Sequence, residues 1–339
     1  MSDRYQVFFR TRRGGRGIEY ETAKAEFLSV FGNQRVELIR EIPSRMRMDV
    51  IITGRDACST GGLSTEEISH RAEKLGYTQG ILSVREEPYL GEELHSRRTG
   101  RWAVGWLRRR DRKIRLTEIY RQDEEKLLGD APHNRVFLIE KDGEVRAAKG
   151  HRYRRGLSPA DARFMVNIAE LRGDEFLLDP FAGIGGILIE CRRRNLRLFA
   201  VDVDPVLRPG LAQISRNRCA VADARQLPLK DNIFDVIITE PPFNTRYRQA
   251  VLDSMAELRR VARHGAKIIL LIAHDMREEI MACMAGSGFQ LVGDFTLRRH
   301  GRLTSHVLRF DLPCTQREIE LTTLCIYSGL PQPPHHEYT

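Results

Sequence analysis

The chain has 339 residues, of which 41% are hydrophobic and 30% charged, a composition typical of a soluble globular protein with room for two domains. No stretch approaches the roughly 18 consecutive apolar residues of a membrane span, and the N-terminus lacks the apolar core of a signal peptide. We therefore expect no membrane association. The formal net charge of +9 predicts a polyanionic partner, although a basic surface that serves only solubility is the alternative.

The six cysteines are widely separated and form no CxxC pair, which argues against a zinc ribbon or a disulfide framework. Reduced thiols and a cytoplasmic location are expected instead. The histidines form no HExxH-type pattern, and His335 and His336 lie in a proline-rich tail. We therefore predict no metal site.

Residues 1–150 are predicted to form a small α+β domain. Ser64, followed three residues later by Glu67, predicts the N-terminal capping box of a helix that Gly76 ends. The dipeptide Asp142-Gly143 predicts the turn of a β-hairpin at 136–150. Strands are expected at 4–9, 35–40, 48–53 and 81–89, and helices at 21–31, 64–76 and 115–128.

A strongly basic segment lies at 97–115, with nine Arg or Lys residues, one Asp, and the interleaved Trp102 and Trp106. Arginine neutralises phosphate, and guanidinium or indole planes stack on exposed bases. A solvated charged face with tryptophans anchored in a core is the alternative. The candidate RNA-binding residues are Arg97, Arg98, Arg101, Arg108, Arg109, Arg110, Arg112 and Lys113, with Arg154 beyond them.

The pattern changes near residue 150, where we place a domain boundary. Ser158-Pro159 predicts the start of a helix that runs to Leu171. Beyond it, strands at 175–179, 197–202, 218–221, 234–239 and 267–273 alternate with helices at 185–194, 205–215, 246–263 and 275–285. This alternation predicts an α/β fold with a doubly wound, mostly parallel sheet. A closing antiparallel pair is expected at 289–310 around His300-Gly301, and 313–339 is expected to be an extension with a disordered end.

Four motifs follow predicted strand ends in order. The glycine-rich turn DPFAGIGG at 179–186 lacks both the GxGxxG and the P-loop spacing. Asp202 and Asp223 end the next two strands, where carboxylates would bind ribose hydroxyls and an adenine amino group. Glu240-Pro241-Pro242-Phe243 ends the fourth. An N-capping Asp at each turn is the alternative, but four matches in order are the pattern of S-adenosylmethionine methyltransferases.

Residues 157–310 resemble the class I S-adenosylmethionine-dependent methyltransferases, and specifically the tRNA guanine-N2 methyltransferases of archaea and eukaryotes. The resemblance lies in LSPADARFMVNIAEL, DPFAGIGGILIE, VDVDP and RRHGRLTSHVLRF. It implies a Rossmann-like domain at 151–312 with a seven-stranded sheet that ends antiparallel, S-adenosyl-L-methionine as cofactor, and RNA, above all tRNA, as substrate. By analogy alone, since no specific motif matches, it implies a THUMP-like RNA-binding domain before it. A small activator subunit and the oligomeric state stay open.

The resemblance also implies the roles of the site residues. Those around the cofactor are Asp179, Phe181, Gly183, Gly185, Gly186, Asp202, Asp223 and Ala224, and those around the target base are Glu240, Pro241, Pro242 and Phe243. An exocyclic amine is a poor nucleophile because its lone pair is delocalised into the ring. A side-chain oxygen and the carbonyl between the prolines can accept its two N–H groups, and the aromatic ring stacks on a base that is unpaired or flipped out.

The chain departs from the family at Glu240, where the family has Asp or Asn. The extra methylene moves the carboxylate by about a bond length, and a misplacement of about 1 Å can cost on the order of 100-fold in rate. Two alternatives therefore stay open: an amino-methyltransferase acting on rRNA, DNA or protein, and a catalytically silent relative. The following residues 246–248 are predicted either to contact a phosphate or to begin the next helix.

Overall fold

The computed structural model describes residues 4–10, 17–53, 63–88, 90, 95–99, 102–109, 112–122, 138–141, 144–147, 157–298 and 304–313. Several predicted features lie outside these residues: the Asp142-Gly143 and His300-Gly301 turns, His335 and His336, Arg101, Arg110 and Arg154, and the tail from residue 314.

The first half of the chain is built mainly of strands. These are β1 (Arg4–Phe9), β2 (Gly17–Ile18), β3 (Val36–Ile42), β4 (Arg47–Ile52), β5 (Thr78–Pro88), β6 (Ser96–Thr99), β7 (Trp102–Arg109) and β8 (Arg112–Arg121), with helices α1 (Tyr20–Phe31) and α2 (Thr65–Ala72). All but β2 form one antiparallel sheet in the order β3-β4-β1-β5-β8-β7-β6. This half is therefore α+β, as predicted.

The two faces of this sheet bury different residues, because successive side chains of a strand point to opposite faces. Val7 and Phe9 of β1 lie in the main core, where the rings of Phe9 and Phe27 of α1 are 6.5 Å apart. Phe8 points the other way and packs in a smaller apolar cluster with Leu116 of β8. The helices thus cover one face only.

The cap predicted at Ser64 is confirmed, since its side chain accepts a 3.1 Å hydrogen bond from the Glu67 N–H. The helix ends at Ala72, however, earlier than predicted, and Gly76 is not its stop. A β-carbon at Gly76 would lie 2.4 Å from the Ala160 carbonyl oxygen, so glycine is needed there for close packing between the two halves of the chain.

The helix predicted near 115–128 is wrong over 115–121, which belong to strand β8. A β-bulge explains the error. The register of β5 and β8 shifts so that Ile81 pairs with Tyr120 and Leu82 with Glu118, which leaves Ile119 as an extra residue. The apolar residues at positions 116, 119 and 120 have a spacing that is typical of one face of a helix, and the bulge accommodates this spacing in a strand.

A separate two-stranded antiparallel pair consists of β9 (Leu138–Lys141) and β10 (Glu144–Ala147). The predicted hairpin strands are thereby confirmed.

The second half alternates strands and helices. Its strands are β11 (Phe176–Asp179), β12 (Arg197–Asp202), β13 (Cys219–Val221), β14 (Phe234–Thr239), β15 (Ala262–Ala273), β16 (Gln290–Arg298) and β17 (Thr304–Asp311). Its helices are α3 (Pro159–Ile168), α4 (Gly186–Arg193), α5 (Arg208–Ser215), α6 (Arg248–Val261) and α7 (Arg277–Gly286). The strand order is β13-β12-β11-β14-β15-β17-β16, parallel from β13 to β15 and antiparallel at β17 and β16. The predicted α/β class and antiparallel end are confirmed.

The predicted strand number needs one correction, because this sheet has eight strands rather than seven. Strand β2 from the first half pairs with the outer strand β16, with Ile18 opposite Leu297. An edge strand presents unpaired N–H and C=O groups, and β2 covers part of that edge. No local pattern in a two-residue strand could have predicted this pairing.

The two halves share one hydrophobic core, joined chiefly through helix α3. The ring of Tyr77 lies 5.0 Å from that of Phe164 of α3, and its hydroxyl donates a 2.8 Å hydrogen bond to Asp161. The buried Glu26 carboxylate of α1 accepts a hydrogen bond of 2.8 Å from the Asn167 side chain of α3. The boundary predicted near residue 150 lies outside the described residues and stays a prediction.

Candidate functional site

The two sequence motifs meet at the carboxyl ends of adjacent parallel strands. Leu178 of β11 lies beside Ile237 of β14, so the turn after β11 and the segment after β14 leave the sheet side by side. Strand β12 lies on the other side of β11, so the strand order reverses at this point. Ligands of open α/β sheets bind in the crevice at such a point.

Asp179 is the most deeply buried acid of this crevice, with only 2% of its surface exposed. Its carboxylate accepts a 2.6 Å hydrogen bond from the Thr239 hydroxyl and a 3.3 Å bond from the Phe181 N–H. Burial raises the pKa of Asp179 from its ordinary value of 3.8 to about 7; the hydrogen bonds oppose this shift, and the nearby Asp202 and Glu240 carboxylates add to it. Near neutral pH, Asp179 is therefore divided between its charged and its neutral form, and the charged form would attract a cationic ligand group.

The conformation of the glycine-rich turn requires glycine at two positions. Gly183 and Gly185 have φ angles of +52° and +81°, which favour glycine, and Gly185 is the N-cap of α4. The Gly183 N–H donates a 2.8 Å hydrogen bond to Asp202. Asp202 also accepts a 2.9 Å bond from the Asp204 N–H. Each carboxylate oxygen can accept two bonds, so Asp202 both shapes the turn and keeps capacity for a ribose hydroxyl.

Asp223 is only partly buried, and its carboxylate is already paired with a neighbouring side chain. Its two oxygens accept hydrogen bonds of 2.7–3.1 Å from the Arg225 guanidinium, which hold the pKa of Asp223 below its ordinary value. An adenine amino group would have to share this carboxylate with Arg225. The neighbouring Ala224 is buried.

A cavity of about 250 Å³ unites the glycine turn with the acid-Pro-Pro-Phe segment. Its wall contains the four predicted catalytic residues and four of the eight predicted cofactor residues, Asp179 among them. The lining residues are Leu157, Asp179, Phe181, Ala182, Gly183, Ile184, Gly186, Ile187, Glu240, Pro241, Pro242 and Phe243. The predicted Gly185, Asp202, Asp223 and Ala224 are not among them.

Sequence reasoning missed Thr239 and four lining residues of the cavity, Leu157, Ala182, Ile184 and Ile187. Thr239 is fully buried and follows the apolar run 236–238 at the end of β14, a position where a polar residue needs a partner. That mismatch was visible in the sequence and could have identified it. Leu157 and Ile184 carry no such signal, because their place in the cavity wall depends on the packing of α3 and the turn.

The segment after Phe243 divides into two parts. Arg248 begins α6 and donates to Glu279 at 2.9 Å and to the Asp275 side chain at 3.2 Å, so its role is structural. Arg246 lies over the ring of Tyr247, 4.4 Å from the centroid, and both side chains are exposed. Arg246 and Tyr247 stay candidates for a phosphate contact.

The described RNA-binding candidates lie on three neighbouring strands, Arg97 and Arg98 on β6, Arg108 and Arg109 on β7, and Arg112 and Lys113 on β8. The register places Arg108 opposite Lys113, and Arg109 opposite Arg112. Arg112 also forms an exposed 3.4 Å ion pair with Glu86. These strands stay candidates for an RNA contact.

Within the described ranges, no cluster of three or more His, Cys, Asp or Glu side chains could hold a metal ion. No helix of this part of the chain is long and apolar enough to cross a membrane.

Residues 178–270 match a family model described as a methyltransferase domain, and residues 146–197 match one described as an RMKL-like methyltransferase domain. The tRNA (guanine(10)-N2)-dimethyltransferase of Methanothermobacter thermautotrophicus is 33% identical over 119 residues, which are 32% of this chain and 35% of that protein. The U6 snRNA (guanine-N(2))-methyltransferase THUMPD2 of Bos taurus is 28% identical over 39% of this chain and 29% of its own length. This chain thus spans about a third of the length of these relatives.

Among solved structures, the geranyl diphosphate C-methyltransferase of Streptomyces coelicolor A3(2) is 14% identical over 46% of this chain and 76% of its own length, with a TM-score of 0.39.

Proposed function

We propose that this chain is an S-adenosylmethionine-dependent methyltransferase that methylates the exocyclic N2 of a guanosine in RNA, with tRNA as the first candidate substrate. One observation carries the proposal: Glu240, Pro241 and Phe243 line the same cavity as the glycine-rich turn and the buried Asp179. The methyl group of the donor and the amine that accepts it would therefore meet in this cavity. The names of the relatives, which act on guanine N2 in tRNA and U6 snRNA, favour RNA guanosine as the acceptor.

The residues present fit the cofactor. S-adenosylmethionine supplies an electrophilic methyl group, and it carries positive charge on its sulfonium and its amino group. Asp179 and Glu240 place carboxylates in the cavity wall, where positive charge is stabilised. Asp202 offers hydroxyl-binding capacity just beyond the turn, and the glycines let the backbone approach the ligand closely.

The target amine would be held by two acceptors. The Glu240 carboxylate and the Pro241 carbonyl accept its two N–H groups, which localises the nitrogen lone pair and directs it toward the methyl group. Phe243 lines the cavity and supplies a stacking face for a base that has left its helix. These residues act mainly by positioning, because the methyl donor is already reactive.

The first half of the chain would bind the RNA outside the cavity. Its strands β6 to β8 carry basic residues whose charge an RNA backbone would neutralise: Arg97, Arg98, Arg108, Arg109, Arg112 and Lys113. A THUMP-like identity for this half, a small activator subunit and a cytoplasmic location belong to the same proposal.

A second candidate is a catalytically silent relative that binds cofactor and RNA. Glu240 favours it, because the longer side chain sits where the family has Asp or Asn.

The deciding experiment measures labelled methyl transfer from S-adenosylmethionine to unmodified tRNA and total RNA, with wild type, Glu240→Ala and Glu240→Asp compared. We expect wild type to label RNA on guanosine N2 and Glu240→Ala to be slower by on the order of 100-fold. Labelling by the Asp variant alone would identify the silent relative. Cofactor binding without any RNA labelling, tested beside DNA and protein, would reject RNA as the substrate.

A further inference from the structure

A separate cavity of about 220 Å³ lies at the other end of the strands from the candidate site. Arg197 begins β12, whereas Asp202, which accepts a hydrogen bond from the glycine-rich turn, ends it. Six strand residues extend over about 17 Å, so this cavity is a different site from the one that would hold the cofactor. Within the described part of the chain, no acidic residue lines it, and four of its nine lining residues are arginines: Arg192, Arg197, Arg216 and Arg218.

The cavity is formed where two helices end and two strands begin. Helix α4 leads into β12 through residues 194–196, and α5 leads into β13 through residues 216–218. Strands β12 and β13 are parallel neighbours, with Ala200 beside Cys219, so the two connections lie side by side. The fold thereby brings arginines from two separate segments to the wall of one cavity.

A structural role explains two of the four arginines. The Arg192 guanidinium donates a 3.0 Å hydrogen bond to the backbone carbonyl of Gln213 and so joins the ends of α4 and α5. The Arg197 guanidinium lies over the ring of Phe176 on β11, 4.2 Å from its centroid. The fold therefore holds both side chains in place.

Arg216 and Arg218 have no such structural role. Both side chains are exposed, and neither forms an ion pair or a side-chain hydrogen bond with any residue that the structure describes. Arginines near a helix C-terminus often stabilise its free carbonyl groups. At the end of α5, however, the Asn217 N–H already donates a 2.8 Å hydrogen bond to the Ala212 carbonyl. The helix end therefore does not explain these two guanidinium groups.

The backbone of Arg216 has a conformation that favours glycine. Its φ angle is +56°, and that of the following Asn217 is +63°. Helices commonly end with a left-handed residue, which is usually glycine and sometimes asparagine. An arginine in this conformation destabilises the fold, and residues strained in this way cluster at functional sites. The strain is thus a second indication that the Arg216 side chain has a function.

We propose that this cavity binds a phosphate group, with Arg216 and Arg218 as its main ligands and Arg192 and Arg197 as fixed positive charges in its wall. A guanidinium group is always charged, and its planar fork of N–H donors matches the oxygens of a phosphate. The phosphate belongs either to the backbone of an RNA or to a small phosphate compound, and the experiments below distinguish these two sources.

The position of the cavity makes RNA the first source to test. Arg194, in the connection between α4 and β12, donates a 3.4 Å hydrogen bond to the backbone carbonyl of Lys74 in the first half of the chain. The Lys74 side chain is exposed. Basic residues therefore continue from the cavity to the half that is proposed to bind RNA. The choice of RNA as the source rests on the proposed function, whereas the phosphate site itself does not.

Binding of unmodified tRNA at several salt concentrations tests this source, with wild type, Arg216→Gly and Arg218→Gln compared. Each variant removes one guanidinium group from the cavity. We expect the slope of log affinity against log salt to be lower by about 1 in each variant. The affinity for S-adenosylmethionine should be unchanged, because the cofactor would bind at the other end of the strands. Arg40→Gln, at an exposed position of β3, is the control.

Urea unfolding of the same variants with and without inorganic phosphate tests the site without RNA. A ligand that binds only the folded chain stabilises it, and phosphate also stabilises proteins in general. We therefore expect phosphate to raise the urea midpoint more in wild type and Arg40→Gln than in the two cavity variants. Without phosphate, the midpoint of Arg216→Gly should be higher than that of wild type, because glycine adopts the left-handed conformation without strain. A lower midpoint would show a structural role for Arg216 and contradict the proposal.

A lower salt slope in the two cavity variants would assign the phosphate to the RNA backbone. A wild-type slope together with a smaller effect of inorganic phosphate would assign it to a small phosphate compound. Wild-type behaviour of both variants in both experiments would overturn the proposal. Neither experiment uses methyl transfer, so a failure of the proposed function is recognised separately. If wild type binds no RNA, the unfolding experiment alone decides whether the cavity binds phosphate.

Discussion

The Thr239 hydroxyl donates a 2.6 Å hydrogen bond to the buried carboxylate of Asp179 and so joins the ends of β14 and β11. These are the two strands that carry the glycine-rich turn and the acid-Pro-Pro-Phe segment. Because Thr239 and Asp179 are both buried, the bond stabilises the charged form of an acid that burial otherwise disfavours. The electrostatics of one motif therefore depend on the residue that precedes the other.

Replacing Thr239 by Val should weaken cofactor binding by about 10-fold near neutral pH. Loss of the hydrogen bond raises the pKa of Asp179 further above 7, so that less carboxylate is present to bind a cationic group. Wild-type affinity should rise as the pH passes upward through 7, and the variant should need a higher pH for the same affinity. Calorimetric titration with S-adenosylmethionine across this range measures both effects. Thr245→Val, in the exposed turn before α6, is the control, and equal affinities of wild type and Thr239→Val at every pH would contradict the prediction.

The Glu26 carboxylate should make the stability of the chain depend on pH. It is fully buried, and burial raises its pKa from 4.5 to about 7 although the N–H groups of Gly76 and Tyr77 and the Asn167 amide all donate to it. Between these values the folded chain binds more protons than the unfolded chain. The stabilising contribution of the neutral form is thus complete below pH 4.5 and is lost as the pH rises through 7.

Urea unfolding of wild type and Glu26→Gln at about pH 5 and about pH 8 measures this effect. Gln does not titrate, so the free-energy advantage of wild type over the variant should be larger at the lower pH. Glu66→Gln, at an exposed position of α2, should show no such change. An advantage that is the same at both pH values would mean that Glu26 does not titrate in this range.

Gly185→Ala should destabilise the chain by about 1–3 kcal/mol. Its φ angle is +81°, and an added β-carbon would lie 2.7 Å from the Ile214 side chain. Gly183→Ala should cost less, about 1–2 kcal/mol, because that position is left-handed but open. Gly286→Ala, at the end of α7 with open space around it, should be neutral or stabilising. Denaturant midpoints of the three variants give the order, and an unaffected Gly185→Ala would show that the turn can rearrange.

Arg108→Ala and Lys113→Ala should each weaken RNA binding. If each side chain contacts a phosphate, as proposed, its removal should lower the slope of log affinity against log salt by about 1. Arg40→Ala, on the opposite edge strand β3 of the same sheet, should leave that slope unchanged. Salt slopes equal to wild type in the β7 and β8 variants would remove these strands from the RNA surface.

Most strands and helices of the second half could be predicted because the residues that mark each one lie within or next to it in the sequence. The apolar run of β14, the Ser158 cap and the glycines of the turn are properties of a few neighbouring residues. The helix predicted near 115–128 is wrong over 115–121 because the bulge at Ile119 depends on the partner strand β5, which is distant in sequence. The eighth strand β2 was missed for the same reason, since its only support is the edge of β16.

The order of the motifs, the parallel sheet and the residues of the acid-Pro-Pro-Phe segment were determined by the sequence alone, since each depends on residue types at short spacing. Tertiary structure decided which of these residues share a cavity and how Thr239 and burial together set the pKa of Asp179. It also brought His274, His306 and Asp294, which belong to three different segments, into one hydrogen-bonded row of side chains. Hydrogen bonds and desolvation act over a few ångströms, so they depend on which segments the fold brings into contact.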